Sequence, residues 1–469
     1  MKRRTLLKLI SMALYGAAGL PETCPAGVTK PLGLQYLEKM RQIFEKIKST
    51  QSEEMLEASY RIADTIKKGK KCHRVWETGH SVNNDFWPNR PGDTNIFENK
   101  TIPYEKDDLL LANRGGGSGM ENNHKKGVFI IGGCTPWGGS DIQYAELLLP
   151  EVQSLKICPY ADIWIETFDT AYGAFIHVPG ETAPLGPVTG ALGMMTFWIM
   201  MSDTARILAR DAVSFAVYGD EPPIGGTKFK ANLSRPLGEL YYDTALQQHK
   251  AIEDEFVSIN EIATMAVHAV LTGGRVYCYS RYEDALCLEA VERRAGLALT
   301  YGLWGPPDNI KIAKYTIVDR VTDEKKVVDE AFKPTGNDIV IMGTAYPDNA
   351  EDIECLELFK KSGMGTAVIG PTTRNGIVPD GRTVCKEADV HVGAGCDSYG
   401  LFALPGIQRK VSPTSGLIQN QIFWAICGQI AEQIVERTGN APGIFLNGGL
   451  KGGMEKLVAV RRTFRQRGY

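Results

Sequence analysis

Pro187-Val188-Thr189-Gly190 and Pro413-Thr414-Ser415-Gly416 each open a long apolar stretch; the first continues to Phe197-Trp198 and Ala205, the second to Phe423-Trp424 and Ala431. Every match keeps a separation of 226 residues. A proline and a hydroxyl residue ahead of an apolar run mark a helix start, so one helix is written twice. Working outward, Gly132, Pro136, Asp141, Ile142, Glu146 and Leu147 match Gly343, Pro347, Asp352, Ile353, Glu357 and Leu358 at a separation of 211. Ala161-Asp162-Ile163 matches Ala388-Asp389-Val390, and a helix-to-strand joint at Gly69 matches one at Gly273. The blocks come in the same order in both halves, which predicts a duplicated unit of about 200 residues.

Each copy alternates helix and strand. Leu37, Met40, Ile43, Phe44 and Ile47, then Met55, Ile62 and Ile66, fall at helical spacing within 34–68, with Gly69 as the stop and Cys72 to Trp76 as a strand. Ile259 to Leu271, Gly273-Gly274 and Arg275 to Tyr279 repeat that order. Val128 to Ile131 and Ile339 to Met342 are continuous apolar runs of the kind that fill a parallel sheet. The expected fold class is α/β, two three-layer αβα domains, each a parallel sheet flanked by helices. The expected division is 1–25 as a leader, 26–225 as the first domain and 226–469 as the second.

The chain has 469 residues, 43% of them apolar, with a net charge of −3 and a pI near 6.2. No basic excess is present to hold a phosphate backbone, so nucleic acid is not an expected partner. At the N-terminus, Lys2-Arg3-Arg4-Thr5-Leu6-Leu7-Lys8 precedes an apolar run too short to span a bilayer, with small residues at 16–19. This resembles a twin-arginine signal and predicts export to the periplasm or beyond, with cleavage near Ala18 and no membrane attachment afterwards. The ten cysteines show no Cys-x-x-Cys pair and no zinc spacing, so buried thiols are expected and no metal.

The chain resembles tandem sugar-isomerase (SIS) domain proteins of the phosphosugar isomerase and binding superfamily. The resemblance rests on the strand running into Glu77-Thr78-Gly79-His80-Ser81, on 338–371, on Ala388-Asp389-Val390 and on the Pro-x-[Thr/Ser]-Gly helix opening. It implies a sugar or sugar phosphate held at the C-terminal ends of the strands, aldose–ketose isomerase activity and no cofactor. A homodimer is compatible with it. The family's phosphate loop follows the second core strand and is usually rich in Ser and Thr. The expected equivalents here are Gly132 to Trp137 and Gly343 to Asp348, both hydroxyl-poor and each carrying a proline, which weighs against phosphate recognition. An unphosphorylated sugar would want aromatic surfaces, and Trp76, Trp87 and Trp137 either supply them or pack domain edges.

Isomerisation needs a group that moves a proton between adjacent carbons and donors that stabilise the enediolate. Glu77 is the expected base, His80 its acid–base partner, and Thr78, Gly79, Ser81 and Thr135 the ligand contacts. A second group, His177, Glu181 and Thr189, precedes the last core helix of the first copy. In the second copy, Arg281, Glu283, Glu292, Arg293 and Arg294 suggest a solvated helix face. Arg114 to Gly119 lacks the Walker lysine and a following dinucleotide helix, so it reads as a flexible rim. The rival to an isomerase is a non-catalytic sugar-binding or scaffold protein on the same fold.

Overall fold

The computed structural model describes residues 30–76, 92–98, 102–113, 117–133, 160–169, 173–218, 232–280, 286, 290–291, 294–312, 316–319, 324–327, 332–374, 376–397, 400–446 and 450–469. The first half runs α1 (Leu32–Lys67), β1 (Cys72–Val75), β2 (Leu109–Ala112), α2 (Gly117–Lys125), β3 (Phe129–Gly133), β4 (Ile163–Ile165), a hairpin of β5 (Ala174–Ile176) and β6 (Leu185–Pro187), and α3 (Thr189–Arg210). The second runs α4 (Leu237–Asp254), α5 (Phe256–Leu271), β7 (Val276–Ser280), β8 (Thr300–Trp304), β9 (Lys311–Ile312), a hairpin of β10 (Thr316–Asp319) and β11 (Glu324–Val327), and β12 (Ile339–Gly343). It closes with α6 (Ala350–Lys361), β13 (Gly365–Ile369), α7 (Val384–Glu387), β14 (Val390–Val392), α8 (Ser415–Thr438) and α9 (Gly453–Arg467).

Two sheets result. One has the order β1-β2-β3-β4, all parallel; the other has β14-β13-β12-β7-β8-β9, parallel except for the edge strand β9. The protein is therefore α/β with parallel sheets flanked by helices. Alternation along the strands assigns the faces. Leu109 and Leu111 face a core shared with α1 and α3, while Leu110 and Ala112 face Met120 of α2. Val276, Cys278, Ile339 and Ile341 face α5 and α8, while Tyr277, Tyr279, Val340 and Met342 face Cys355 and Phe359 of α6. Each sheet thus has helices on both sides.

The halves share their bracing as well as their order. Asp108, ahead of β2, accepts hydrogen bonds from Lys71 N and Glu105 N; Asp338, ahead of β12, accepts them from Arg275 N and Thr335 N. Asp162, ahead of β4, accepts from Ile130 N, and Asp389, ahead of β14, from Thr366 N. Gly69 and Gly273, both left-handed at φ 69° and 80°, turn α1 into β1 and α5 into β7. These matches align β1, β2, β3 and β4 with β7, β12, β13 and β14. The 211-residue block is corrected by this alignment, because Gly132 lies in β3, the third strand of its sheet, while Gly343 ends β12, the counterpart of the second strand, β2.

A helical layer of α1, α3, α4, α5 and α8 joins the two sheets. Where α1 crosses α8, Gly33 and Gly428 meet so closely that a Cβ on Gly428 would lie 2.8 Å from Gly33 N, and Gly33 N donates to Gln429 Oε1. His249 of α4, fully buried, bonds to Leu37 O of α1 and to the Gln421 amide of α8. The expected joint at 225/226 lies outside the described residues. Among the described residues, Cys72, Cys278, Cys355, Cys385, Cys396 and Cys427 are thiols, and no helix is long and apolar enough to cross a membrane. Burial pushes the Cys72 thiol up to about 12, which makes it inert.

Candidate functional site

Because β1 to β4 are parallel and adjacent, their C-terminal ends share one edge, where open α/β sheets bind ligands. The chain leaves β1 through Trp76 into Glu77, Thr78, Gly79, His80 and Ser81, and leaves β3 through Gly133 into Cys134 and Thr135. The candidates Glu77, Thr78, Gly79, His80, Ser81 and Thr135 lie outside the described residues. Trp76 does not offer a stacking surface. It is 2% exposed, its indole Nε1 donates to Gly193 O at 3.2 Å, and a Cβ on Gly133 would fall 2.4 Å from its ring. Trp87 and Trp137 lie outside the described residues.

Arg74 shares that face of β1 and stacks on Phe97 and Phe197. Burial pulls its guanidinium below the usual range, against the pull of Asp93 at 3.5 Å. Its charge is balanced inside the protein rather than offered to a ligand.

At the far end of the edge, β4 runs into Glu166-Thr167-Phe168-Asp169. Phe168 is held left-handed at φ 56°, with Lys46 Nζ 3.9 Å from its ring centre, and the turn delivers Asp169 Oδ2 to the Thr189 hydroxyl at 2.5 Å. Strain of this kind collects at functional positions. The sequence reading did not single out Asp169, although acidic residues directly after a strand start such as Ala161-Asp162-Ile163 were the signal available.

The group His177, Glu181 and Thr189 is divided. Thr189 belongs to the edge through Asp169, whereas His177 is exposed on the β5–β6 hairpin. Glu181 ties that hairpin to α9 through Lys456 Nζ at 2.6 Å and also accepts from Thr182 N and Ala183 N. Burial alone would raise the Glu181 carboxyl; Lys456 and those N–H groups hold it below the usual carboxylate range. Of the second-copy residues, only Arg294 is described.

The loop after the second strand also moves. In the first sheet that strand is β2, so the equivalent loop is Asn113 to Gly117 and not Gly132 to Trp137. A helix, α2, does follow the glycine run, beginning at Gly117 with no acidic residue in its first turn. The rim reading is corrected accordingly. The matching helix of the second half, α6, opens on Glu351 and Asp352, with Asn349 as its cap. There Thr344 Oγ1 lies 2.8 Å from both Tyr346 O and Asp352 Oδ2, and Arg374 grips Asp348 with 3.0 and 3.1 Å contacts. That loop is closed by its own side chains and repels anions; the first-half loop has no acid at its helix start.

No family model matches the sequence, and no curated protein matches it. Among solved structures, the chain is similar to a Silicibacter pomeroyi protein described as a phosphosugar isomerase, at 9% identity and a TM-score of 0.38 over 88% of this chain and 99% of that one. It is similar to a Salmonella typhimurium protein described as sugar-binding, at 12% identity and 0.41 over 84% and 99%. It is also similar to the C-terminal domain of glucosamine-fructose-6-phosphate aminotransferase from Francisella tularensis, at 8% and 0.44 over 89% and 98%. Similarity this distant carries no argument about activity, and the site stands on its own geometry.

Proposed function

We propose that the chain binds a sugar or sugar phosphate at the C-terminal edge of the first sheet and isomerises it between aldose and ketose. The carrying observation is the asymmetry between the two loops after the second strand. The second-half loop is filled by Thr344, Asp352 and Arg374, while the first half runs from Asn113 through glycines into a helix start without an acid. Backbone N–H groups at such a start favour a phosphate, which restores the phosphorylated ligand as the better fit. Glu77 would move the proton between C1 and C2, His80 would serve the ring oxygen, and Thr78, Gly79, Ser81 and Thr135 would hold hydroxyls. The carboxylate of Asp169, fixed by Thr189, would orient a further hydroxyl. A division into domains at 225/226 and export of the mature chain belong to the same proposal.

The test pairs D-fructose 6-phosphate with free D-fructose in a thermal-shift titration, and follows exchange of the substrate C–H proton with deuterated solvent. The phosphate ester should raise the melting temperature at lower concentration than the free sugar. Glu77→Gln should slow exchange by roughly a hundredfold or more and leave affinity within about threefold, because a base acts chiefly in the transition state. Binding without exchange would leave a non-catalytic sugar-binding protein; binding of neither sugar would refute the proposal.

A further inference from the structure

Helix α5 carries an exposed stripe. Val257, Glu261, Thr264, His268 and Leu271 fall at i, i+4, i+7, i+11 and i+14, the spacing of a coiled-coil seam, so they share one side of the helix. The other side, with Ile259, Ile262, Ala263, Ala266 and Val270, is buried. Val257 is 53% exposed and Leu271 41%, two large apolar side chains at opposite ends of the stripe, about 21 Å apart along the helix axis. A groove of about 650 Å³ adjoins its second half, lined by Glu261, Met265 and His268 together with Asn337, Lys360 and Met364.

The charges at its two ends have opposite signs. α4 runs into α5 through Glu253-Asp254-Glu255, three consecutive acids with no ion pair among the described residues. Burial and the neighbouring Asp254 hold the Glu255 carboxyl above the usual range. At the far end, α9 finishes against α5, where a Cβ on Gly468 would sit 3.8 Å from Val270 Cγ1. Arg462, Arg465 and Arg467 of α9 are exposed there, again with no ion pair among the described residues. Acids at a helix start and bases at a helix end each suit the local dipole, but neither group meets an opposite charge within the described chain.

We propose that α5 is the contact between two copies of this chain, laid antiparallel across a twofold axis at Thr264. Reversal about Thr264 carries position 257 onto 271 and brings 261 within one residue of 268. Val257 then meets the partner's Leu271, Glu261 the partner's His268, and the corner Glu253 to Glu255 the partner's Arg465 and Arg467. Every contact occurs twice, as a twofold interface demands. A parallel contact would instead set acid on acid and arginine on arginine. The strip measures roughly 35 Å by 15 Å, about 500 Å² on each copy against about 800 Å² in a standard interface, so the dimer is weak and leans on its charges. The contact makes no use of the first-sheet edge, so it holds or fails independently of the proposed isomerase.

Sedimentation velocity on the full chain, from about 1 to about 200 µM, should show a reversible dimer that weakens about tenfold between about 50 and about 500 mM sodium chloride. Arg465→Glu with Arg467→Glu, and separately Glu253→Lys with Asp254→Lys, should each raise the dissociation constant about tenfold or more, since each sets like charges together at both ends of the contact. Mixed in equal amounts, the two double variants should pair with each other about as tightly as the wild type pairs with itself, because each then offers the sign the other needs at both ends. That recovery also shows both variants to be folded. The proposal is overturned if the wild type is monomeric throughout, if either double variant dimerises as the wild type does, or if mixing restores nothing, in which case the two patches serve partners other than each other.

Discussion

Replacing Gly428 by alanine tests how the two halves are held together. In the interior of an exposed helix the change would stabilise by about 1 kcal/mol, since glycine is a poor helix former. Here the added Cβ would stand 2.8 Å from Gly33 N, 3.0 Å from Gly33 Cα and 3.0 Å from Leu32 C, all backbone atoms with no rotamer to yield. The α1–α8 crossing must open by roughly 1 Å to restore ordinary contact, at an overpacking cost of about 1–3 kcal/mol. The opening also stretches the Gly33 N to Gln429 Oε1 bond, now 2.9 Å, worth about 1 kcal/mol. The expected net is a loss of about 1–3 kcal/mol, read as a lower urea midpoint by tryptophan fluorescence. Gly33→Ala, whose Cβ would meet Ala425 O at 2.6 Å, should cost a similar amount, and the double variant less than the two together, since a crossing opened once accommodates both. A Gly428→Ala protein as stable as the wild type, or more so, would refute the close crossing.

Two further outcomes are expected. Burial holds His249 below its usual range, against the pull of its bonds to Gln421 and Leu37 and of Glu253, with Arg41 adding to the depression. Its neutral form is therefore the one the fold favours; that stability is complete above the unfolded value near 6.5 and is lost as pH falls below it, at no more than about 1.4 kcal/mol per pH unit. Melting temperature should fall between pH 6.5 and 5, and His249→Gln should flatten that slope; an unchanged slope would show that His249 is not the group responsible. Separately, Arg3→Lys with Arg4→Lys should leave the chain in the cytoplasm of a bacterial host, and undiminished export would remove the twin-arginine assignment.

The legible parts of this fold were those written locally. The α3 and α8 starts, the Gly69 and Gly273 joints, and the strands after Asp162 and Asp389 need only a few adjacent residues to be seen. The strand Leu109-Leu110-Leu111-Ala112 was not legible. It carries no β-branched or aromatic residue, and leucine and alanine suit a helix at least as well, so only pairing between β1 and β3 makes it a strand. With β2 unseen, β3 takes its place in the count and the loop after the second strand is sought one strand too late. That single slip explains both the 211-residue block and the assignment of Gly132 to Trp137. Asp169 was hidden for another reason: its partner Thr189 is brought to it across the β5–β6 hairpin, a contact no spacing encodes.

The two halves match where their strands begin and differ where they end. At the N-terminal edge of each sheet the same aspartates do the same work in both halves, Asp108 with Asp338 and Asp162 with Asp389, fastening the start of one strand to its neighbour. At the C-terminal edge the described residues differ: Trp76 stands where Ser280 does, Gly193 where Gln419 does, and the sequence has a glycine run where Thr344 locks onto Asp352. A brace that only joins strands has one good solution, so both copies hold it. An edge that meets a ligand has as many solutions as ligands, and under the proposed function two edges that differ in charge and in an indole plug would not hold the same molecule.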